Sequence, residues 1–343
     1  MTDDTLPQPN PGEHPFAPYV RILGKGRRGS RSLTRAEARE AMGMILRGDV
    51  EDMQLGAFLM LIRVKEETPD ELAGFVDAVK THIAAPHHLK VDLDWSSYAG
   101  KRRHAPWFIL SIRLLLDAGL RVFMHGTQGH THGRIYTQDV LAALGLPVAN
   151  DWKNAELALA RTGFAYLALD AVAPRLANLI ELKPILGLRS PVHSLARLIN
   201  PLDAPVVLQG IFHPPYAPLH QQAAALLGYP HLSVIKGEGG EIERNPDAPL
   251  TVLRTQDGEL SSDEWPALFE RRHVKPERLD ADYMKAIWRG DAADEYAQAA
   301  VLSTAALALR ETGKASCQTS ALEQAQRLWE QRNRDRLALV WGI

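Results

Sequence analysis

Arg121-Val-Phe-Met-His125, running into Gly126-Thr-Gln-Gly-His-Thr-His-Gly133-Arg134 and then Thr137–Leu144, is the stretch that decides the fold. A short β-rich run, a glycine-rich loop and a helix-period segment follow one another directly. The alternation recurs. β-rich runs stand at Phe164–Leu169, Val206–Phe212, Leu232–Lys236 and Leu250–Arg254, and helical segments at Pro106–Ala118, Ala173–Glu181 and Pro218–Leu227. Strands alternating with helices predict an α/β domain with a central, mainly parallel sheet flanked by helices. Asp280–Arg289, Asp294–Thr312 and Ser320–Arg336 read as closing helices with alanine-rich packing faces.

Upstream the period is helical throughout. Thr34 with Glu37 three residues on is a capping box, in which hydroxyl and carboxylate each satisfy an orphan N–H, and Gly48 marks the stop. A second helix spans about Glu51 to Val64 and buries Leu55, Phe58, Leu59 and Ile62. A third starts at Thr68, with Pro69 at its first position and Glu71 closing the box. The expected division is a disordered tail over 1–20, a small helical domain over 21–86 and the α/β domain over 87–343.

Composition narrows the class. The chain has 343 residues, 45% apolar and 23% charged, with formal net charge -2, as in an ordinary soluble globular protein. Cys317 is the only cysteine, which excludes an intramolecular disulfide and argues against a cysteine-based zinc site. No apolar run approaches the roughly eighteen residues of a membrane helix. The acidic, Pro-rich start lacks the features of a signal peptide, so a cytoplasmic protein is expected. Cations are unevenly spread: 18 Lys/Arg against 14 Asp/Glu over 21–140, but 14 against 19 over 237–343. A near-neutral chain can therefore carry a basic face.

Four segments are candidates for chemistry. Lys101-Arg102-Arg103-His104 stands at a loop-to-helix junction, where backbone N–H groups and cations together suit phosphate; a solvated basic loop is the alternative. Lys25, Arg27, Arg28 and Arg31 lie among glycines before the first capped helix and suit a nucleic-acid backbone, or else keep a linker soluble. His125, His130 and His132 invite a metal reading, but the loop offers no carboxylate or thiolate partner, and an anion cradle is the more general use of glycines after a strand. Glu238, Glu241 and Glu243 could hold Mg²⁺ through a diphosphate, or simply form an acidic turn.

In order, these pieces resemble the anthranilate phosphoribosyltransferase family, within the glycosyltransferase family 3 fold. The resemblance begins near Ser32-Leu-Thr-Arg-Ala-Glu-Ala and Gly48-Asp-Val-Glu-Asp-Met-Gln-Leu-Gly-Ala-Phe-Leu-Met and persists to about residue 245. Leu186-Gly-Leu-Arg-Ser with Leu198-Ile-Asn200-Pro201 looks like the family's L-G-x-R-[TS] … L-x-N-P segment. Val234-Ile-Lys-Gly-Glu-Gly-Gly is similar to its V-x-H-G-x-[DE]-G strand end. The ligand motifs depart. Tyr98-Ala-Gly-Lys-Arg-Arg103 replaces the G-T-G-G-D-G diphosphate loop. Met124-His125-Gly126-Thr-Gln keeps only His-Gly of K-H-G-N-R, the Mg²⁺-binding Asp-Glu is reduced to a single acid near Glu241, and the arginine pair before L-G-x-R falls on Lys183-Pro184.

That departure resembles a paralogous branch understood to be dimeric and to bind nucleic acid rather than transfer phosphoribose. The resemblance therefore implies a homodimer through the helical domains and a nucleic-acid-binding protein, not an enzyme, with no cofactor and no membrane partner. Single-stranded DNA or RNA is favoured, with weak sequence specificity. Phosphates would be met by Lys25, Arg27, Arg28, Arg31, Lys101, Arg102, Arg103 and Arg134. His104, His125, Gly126, Lys183 and Arg189 would line the cleft, and Trp95 and Tyr98 would offer rings for stacking, whereas Trp107, which also flanks the cluster but opens a helix, is read as core or domain-interface packing. The alternative is a phosphoribosyltransferase using phosphoribosyl diphosphate, with Mg²⁺, on an aromatic or nucleobase acceptor.

Overall fold

The computed structural model describes residues 6–127, 129, 133–274 and 280–340. It opens with α1 (Ala17–Gly24), α2 (Arg35–Arg47), α3 (Asp52–Lys65) and α4 (Pro69–Lys80). Both predicted capping boxes form: Thr34 and Thr68 each accept from the backbone N–H of the glutamate three residues on, which returns a bond to the cap. Glu71 does more than close its box. Fully buried, it also accepts from Leu33 N (2.8 Å) and Lys65 Nζ (2.7 Å), which ties the starts of α2 and α4 to the end of α3. α1 begins inside the stretch expected to be a disordered lead-in, because Phe16 and Tyr19 are apolar enough to bury against Phe58.

The rest alternates as expected, with additions. In order come β1 (Leu93–Ser97), α5 (Phe108–Asp117), β2 (Val122–Gly126), α6 (Thr137–Leu144), β3 (Val148–Ala149), α7 (Trp152–Thr162) and β4 (Phe164–Ala168). Four short helices follow: α8 (Leu169–Val172), α9 (Pro174–Ile180), α10 (Lys183–Leu186) and α11 (Val192–Leu195). Then come β5 (Val206–Ile211), α12 (Ala217–Leu226), β6 (His231–Lys236), β7 (Leu250–Gln256), β8 (Glu259–Trp265), α13 (Ala281–Arg289), α14 (Glu295–Glu311) and α15 (Gln318–Gln331).

The strands form one sheet in the order β3-β4-β2-β1-β5-β6-β7-β8, parallel through β6 and antiparallel at β7 and β8. One apolar cluster joins α1–α4 to one face of the sheet, and a second packs α5 and the C-terminal helices on the other. The α/β fold class with a small helical domain is therefore present as expected. The chain fills the sheet outward from β1 to β2 and β4, then returns to β1's other side with β5. Such a reversal leaves a crevice at the carboxyl ends of the strands, where open α/β sheets bind ligands. Among the described residues no helix is long and apolar enough to cross a membrane.

Candidate functional site

At the crevice, β1 ends in Ser97-Tyr98-Ala99-Gly100-Lys101. Gly100 takes a positive φ of 66°, which turns the loop so that two consecutive N–H groups point one way. They meet a side chain of the protein itself. Ala99 N and Gly100 N donate to Glu241 Oε1 (2.7 and 2.6 Å), and Ser97 Oγ donates to Glu241 Oε2 (2.8 Å). Beside it, Lys101 Nζ donates to Glu243 Oε1 (2.6 Å) and to the Glu238 carbonyl (3.0 Å), while Phe108 N donates to Glu243 Oε2 (3.0 Å). Burial pushes the Glu243 carboxyl up, against the opposing pull of Lys101.

Lys101 is 3% exposed. It is a buried ion-pair partner, not the solvent-facing phosphate contact expected from the sequence. Arg134 likewise turns inward and donates to the Ala99 and Gly100 carbonyls (2.8 and 3.0 Å). Arg31 makes a bidentate pair with Glu37 (2.6 Å each) in the helical domain. Lys25, Arg27 and Arg28 are exposed on the turn after α1, and Arg102 and Arg103 are exposed on the β1 loop. His104 beside them is half-buried. The two rings expected to stack on bases are committed elsewhere, and Trp107 is packed as expected. Trp95 is stacked on Phe108 in the core, Trp107 packs on Tyr283, and Tyr98 is buried.

His125 is wholly buried rather than lining the cleft. Its Nδ1 lies 2.7 Å from the Tyr98 hydroxyl and its Nε2 3.2 Å from Asp94 Oδ1. A ring protonated at Nε2 satisfies both contacts, donating to the carboxylate and accepting from the phenol. Gly126 is required by packing, since a Cβ there would stand 2.2 Å from the Ser97 carbonyl oxygen. Gln128 and His130–His132 lie outside the described residues, and with them most of the metal reading of that loop. Among the described residues no group of three His, Cys, Asp or Glu converges as a metal site.

The open part of the crevice lies between the helical domain and the strand ends. A cavity of about 180 Å³ is lined by Arg63 and Glu67 near the end of α3, by Arg189, Ser190 and Arg197, and by Phe212 and Tyr216 beyond β5. Arg197 donates to the Gly210 carbonyl (3.3 Å) and to the His193 carbonyl, and lies over the Tyr98 ring. Arg63 donates to the Tyr216 hydroxyl (2.8 Å). Arg189 is half-buried, its pKa lowered by burial and by nearby Arg134. His220 is neutral: burial, then Arg197, push its pKa down to about 3, and its Nδ1 faces Gln209 (2.7 Å). Burial pushes the Glu67 carboxyl up, and with Arg63, Arg189 and Arg197 set against that one carboxyl the wall is positive on balance. Of the expected cleft residues the cavity takes Arg189; Lys183 sits half-buried on α10. Sequence reasoning does not reach Arg63, Arg197, Phe212 or Tyr216. For Arg197 the available signal is a lone cation in the apolar run that leads into Leu198-Ile-Asn200-Pro201.

Comparisons with known proteins agree with this arrangement. The glycosyl transferase family helical bundle domain matches residues 20–83, and that family's a/b domain matches residues 114–331. Anthranilate phosphoribosyltransferase of Anaeromyxobacter sp. (strain K) is 30% identical over 254 residues, covering 72% of this chain and 71% of its own. The crystal structure of the Thermus thermophilus anthranilate phosphoribosyltransferase superposes with TM-score 0.77 at 20% identity, over 91% of this chain and 94% of that one. The Saccharomyces cerevisiae enzyme in complex with PRPP and Mg gives TM-score 0.76 at 18% identity, over 94% and 95%. These relatives are named for transfer to a small molecule, which overturns the expectation of a nucleic-acid-binding protein with a nucleic-acid partner. The structure takes Lys101, Arg134 and Arg31 out of the expected phosphate contacts and buries Trp95 and Tyr98, while Lys25, Arg27, Arg28, Arg102 and Arg103 stay exposed without those rings to stack a base beside them. The chain belongs to the anthranilate phosphoribosyltransferase family, with the helical bundle and a/b domains of the glycosyl transferase family.

Proposed function

We propose that the chain is a phosphoribosyltransferase that joins an anionic, single-ring aromatic acceptor to the phosphoribosyl group of phosphoribosyl diphosphate. In the reaction a bond forms between an acceptor nitrogen and the donor's C1, the C1–O bond to diphosphate breaks, diphosphate leaves, and the nitrogen gives up one proton to solvent or to the departing diphosphate. The observation that carries this reading is the inter-domain cavity. Its volume lies below the ~300–1,000 Å³ usual for drug-sized ligands, and it pairs the half-buried Arg189 with the Phe212 ring, 57% exposed at the wall. A guanidinium beside an aromatic face suits a planar carboxylate, through charge-assisted hydrogen bonds and ring stacking. Arg63 and Arg197, fixed by Tyr216 and by backbone carbonyls, add positive potential without having to move.

A relative solved with PRPP and Mg leaves the expectation of no cofactor without support. Mg²⁺ bound with a diphosphate supplies charge neutralisation to the leaving group. The residues here do not fit it as arranged. Both oxygens of Glu241 and both of Glu243 already accept from N–H, O–H or ammonium donors.

The test is diphosphate release from phosphoribosyl diphosphate with a panel of aromatic amino acids, anthranilate among them, and free nucleobases. Release is expected with an anionic aromatic acceptor and is expected to fall about tenfold or more in Arg189→Ala, the scale of one hydrogen bond to a charged group. Absence of acceptor-dependent release across the panel would overturn the reading.

A further inference from the structure

The carboxyl end of β1 contains a finished anion site with an internal occupant. Two successive backbone N–H groups and a hydroxyl converge on one carboxylate, the arrangement in which backbone nests hold phosphate oxygens. The occupant is Glu241, at 2.6–2.8 Å from all three donors. Its placement is built into the backbone. A Cβ on Gly237 would stand 1.6 Å from the Glu241 carbonyl oxygen, and one on Gly210 would stand 2.4 Å from its carbonyl carbon. Only glycine at these two places lets the 237–243 segment press this deeply between β5 and the β1 loop. From the other side Arg134 holds the Ala99 and Gly100 carbonyls, and Lys101 pairs with Ile135 through both backbone bonds (2.9 Å each).

The neighbouring carboxylate is closed in the same way. Glu243 faces the Lys101 ammonium on one oxygen and the Phe108 N–H on the other. Mg²⁺ is usually held by one or two carboxylates together with substrate phosphate oxygens. To bind it here, Glu243 would have to give up a buried charge-assisted bond and Glu241 a three-donor seat.

We propose that Glu241 is a built-in competitor for the diphosphate of the donor. It fills the seat formed by Ser97, Ala99 and Gly100, while Lys101 and the Phe108 N–H close the neighbouring Glu243 carboxylate to a metal. A donor diphosphate then binds this loop without Mg²⁺ and only by displacing the Glu241 carboxylate. The identity of the donor rests on the transferase reading; the occupied seat does not.

The experiment is calorimetric titration of the full chain, with no acceptor present, using inorganic diphosphate with and without Mg²⁺, and MnCl₂ alone. For the wild type, weak diphosphate binding unchanged by Mg²⁺ and no one-to-one uptake of Mn²⁺ are expected. Glu241→Ala is expected to bind diphosphate on the order of tenfold more tightly, still independently of Mg²⁺, about one hydrogen-bonded competitor's worth. Glu238→Ala makes the same charge change on the same turn and controls for general electrostatics; it is expected to gain much less. One-to-one Mn²⁺ uptake by the wild type, Mg²⁺-dependent tightening, or an equal gain in Glu238→Ala would overturn the proposal, as would no gain in a folded Glu241→Ala. If Glu241→Ala does not fold, the wild-type Mn²⁺ and Mg²⁺–diphosphate titrations decide. Because every readout is binding without acceptor, failure here is separable from failure of the transferase assay.

Discussion

The loop after β1 and the inter-domain cavity are both rich in cations and both sit at the carboxyl ends of the strands, yet they handle charge in opposite ways. In the loop the buried donors have internal partners: Glu241 takes the amides, Glu243 takes Lys101, and Arg134 caps the carbonyls. In the cavity, Arg189 faces open volume beside Phe212. The difference is one of burial. Burying a charge without a partner is far more costly than leaving it in water, so a cation drawn into the packed loop comes with its carboxylate, whereas a half-buried one at a cleft can wait for a ligand. A basic cluster in sequence is thus a statement about charge alone; the partner decides whether it is structure or site.

The largest effect expected from breaking this contrast is at Lys101. Lys101→Ala leaves the buried Glu243 carboxyl without its ammonium partner, and unfolding in urea is expected to show a loss of about 3–5 kcal/mol. The double change Lys101→Met with Glu243→Gln, which removes both charges, is expected to restore part of it. If the single substitution costs nothing, the loop is not closed on itself.

A third buried carboxylate, remote from the crevice, serves as a reference. Burial alone would push Glu311 up, but hydrogen bonds from His231 and Arg254 outweigh it and hold the pKa at about 2. A folded-state pKa below the unfolded value contributes stability that is present above the unfolded pKa and lost as pH falls through the folded one. On the order of 3 kcal/mol should therefore disappear between about pH 4.5 and 2. Unfolding measured across that window in the wild type and Glu311→Gln checks it, since the variant should lack this component of the slope.

Gly237→Ala sharpens the comparison by moving the occupant rather than deleting it. Overpacking against the Glu241 backbone is expected to cost about 1–3 kcal/mol. The smallest effects belong to the cations that are not buried in the packed loop, exposed Arg102 and Arg103 and half-buried Arg189. Arg102→Ala, Arg103→Ala and Arg189→Ala should each stay within about 0.5 kcal/mol of the wild type by thermal unfolding. Of the three, only Arg189→Ala is expected to alter acceptor binding.

Elements defined by local chemistry are legible in the sequence. Thr34 with Glu37, and Thr68-Pro69 with Glu71, carry their own caps, and β2 and β4–β7 are β-rich runs bounded by turns. β1 is not, because Leu93-Asp-Trp-Ser-Ser97 places an aspartate and serines at the centre of the sheet, where a buried parallel strand ordinarily runs apolar. β8 is hidden for the opposite reason: it is an exposed edge strand after the Asp257-Gly258 turn. At the site, the glycines and cations are visible in the sequence but their partners are not. Lys101 and Glu243 are 142 residues apart, and no spacing rule reaches that far. Arg197 reaches the cavity with Arg189 locally, across α11, but Arg63 on α3 and Phe212 after β5 join them only in the folded chain.

The return of β5 beside β1 also bears on how the molecule is made. β1 is among the first strands to be synthesised and lies mid-sheet, between β2 and a strand that does not begin until Val206. Until that segment emerges, β1 presents an unpaired edge carrying Leu93 and Trp95, an invitation to pair with another chain. The low-contact-order helices α1–α4 can assemble early, but the crevice closes only when distant halves of the sequence meet, a slow step by topology alone. Conditions that lengthen that interval, such as crowded synthesis or high temperature, will therefore be felt first as aggregation of incomplete chains, with the finished protein spared.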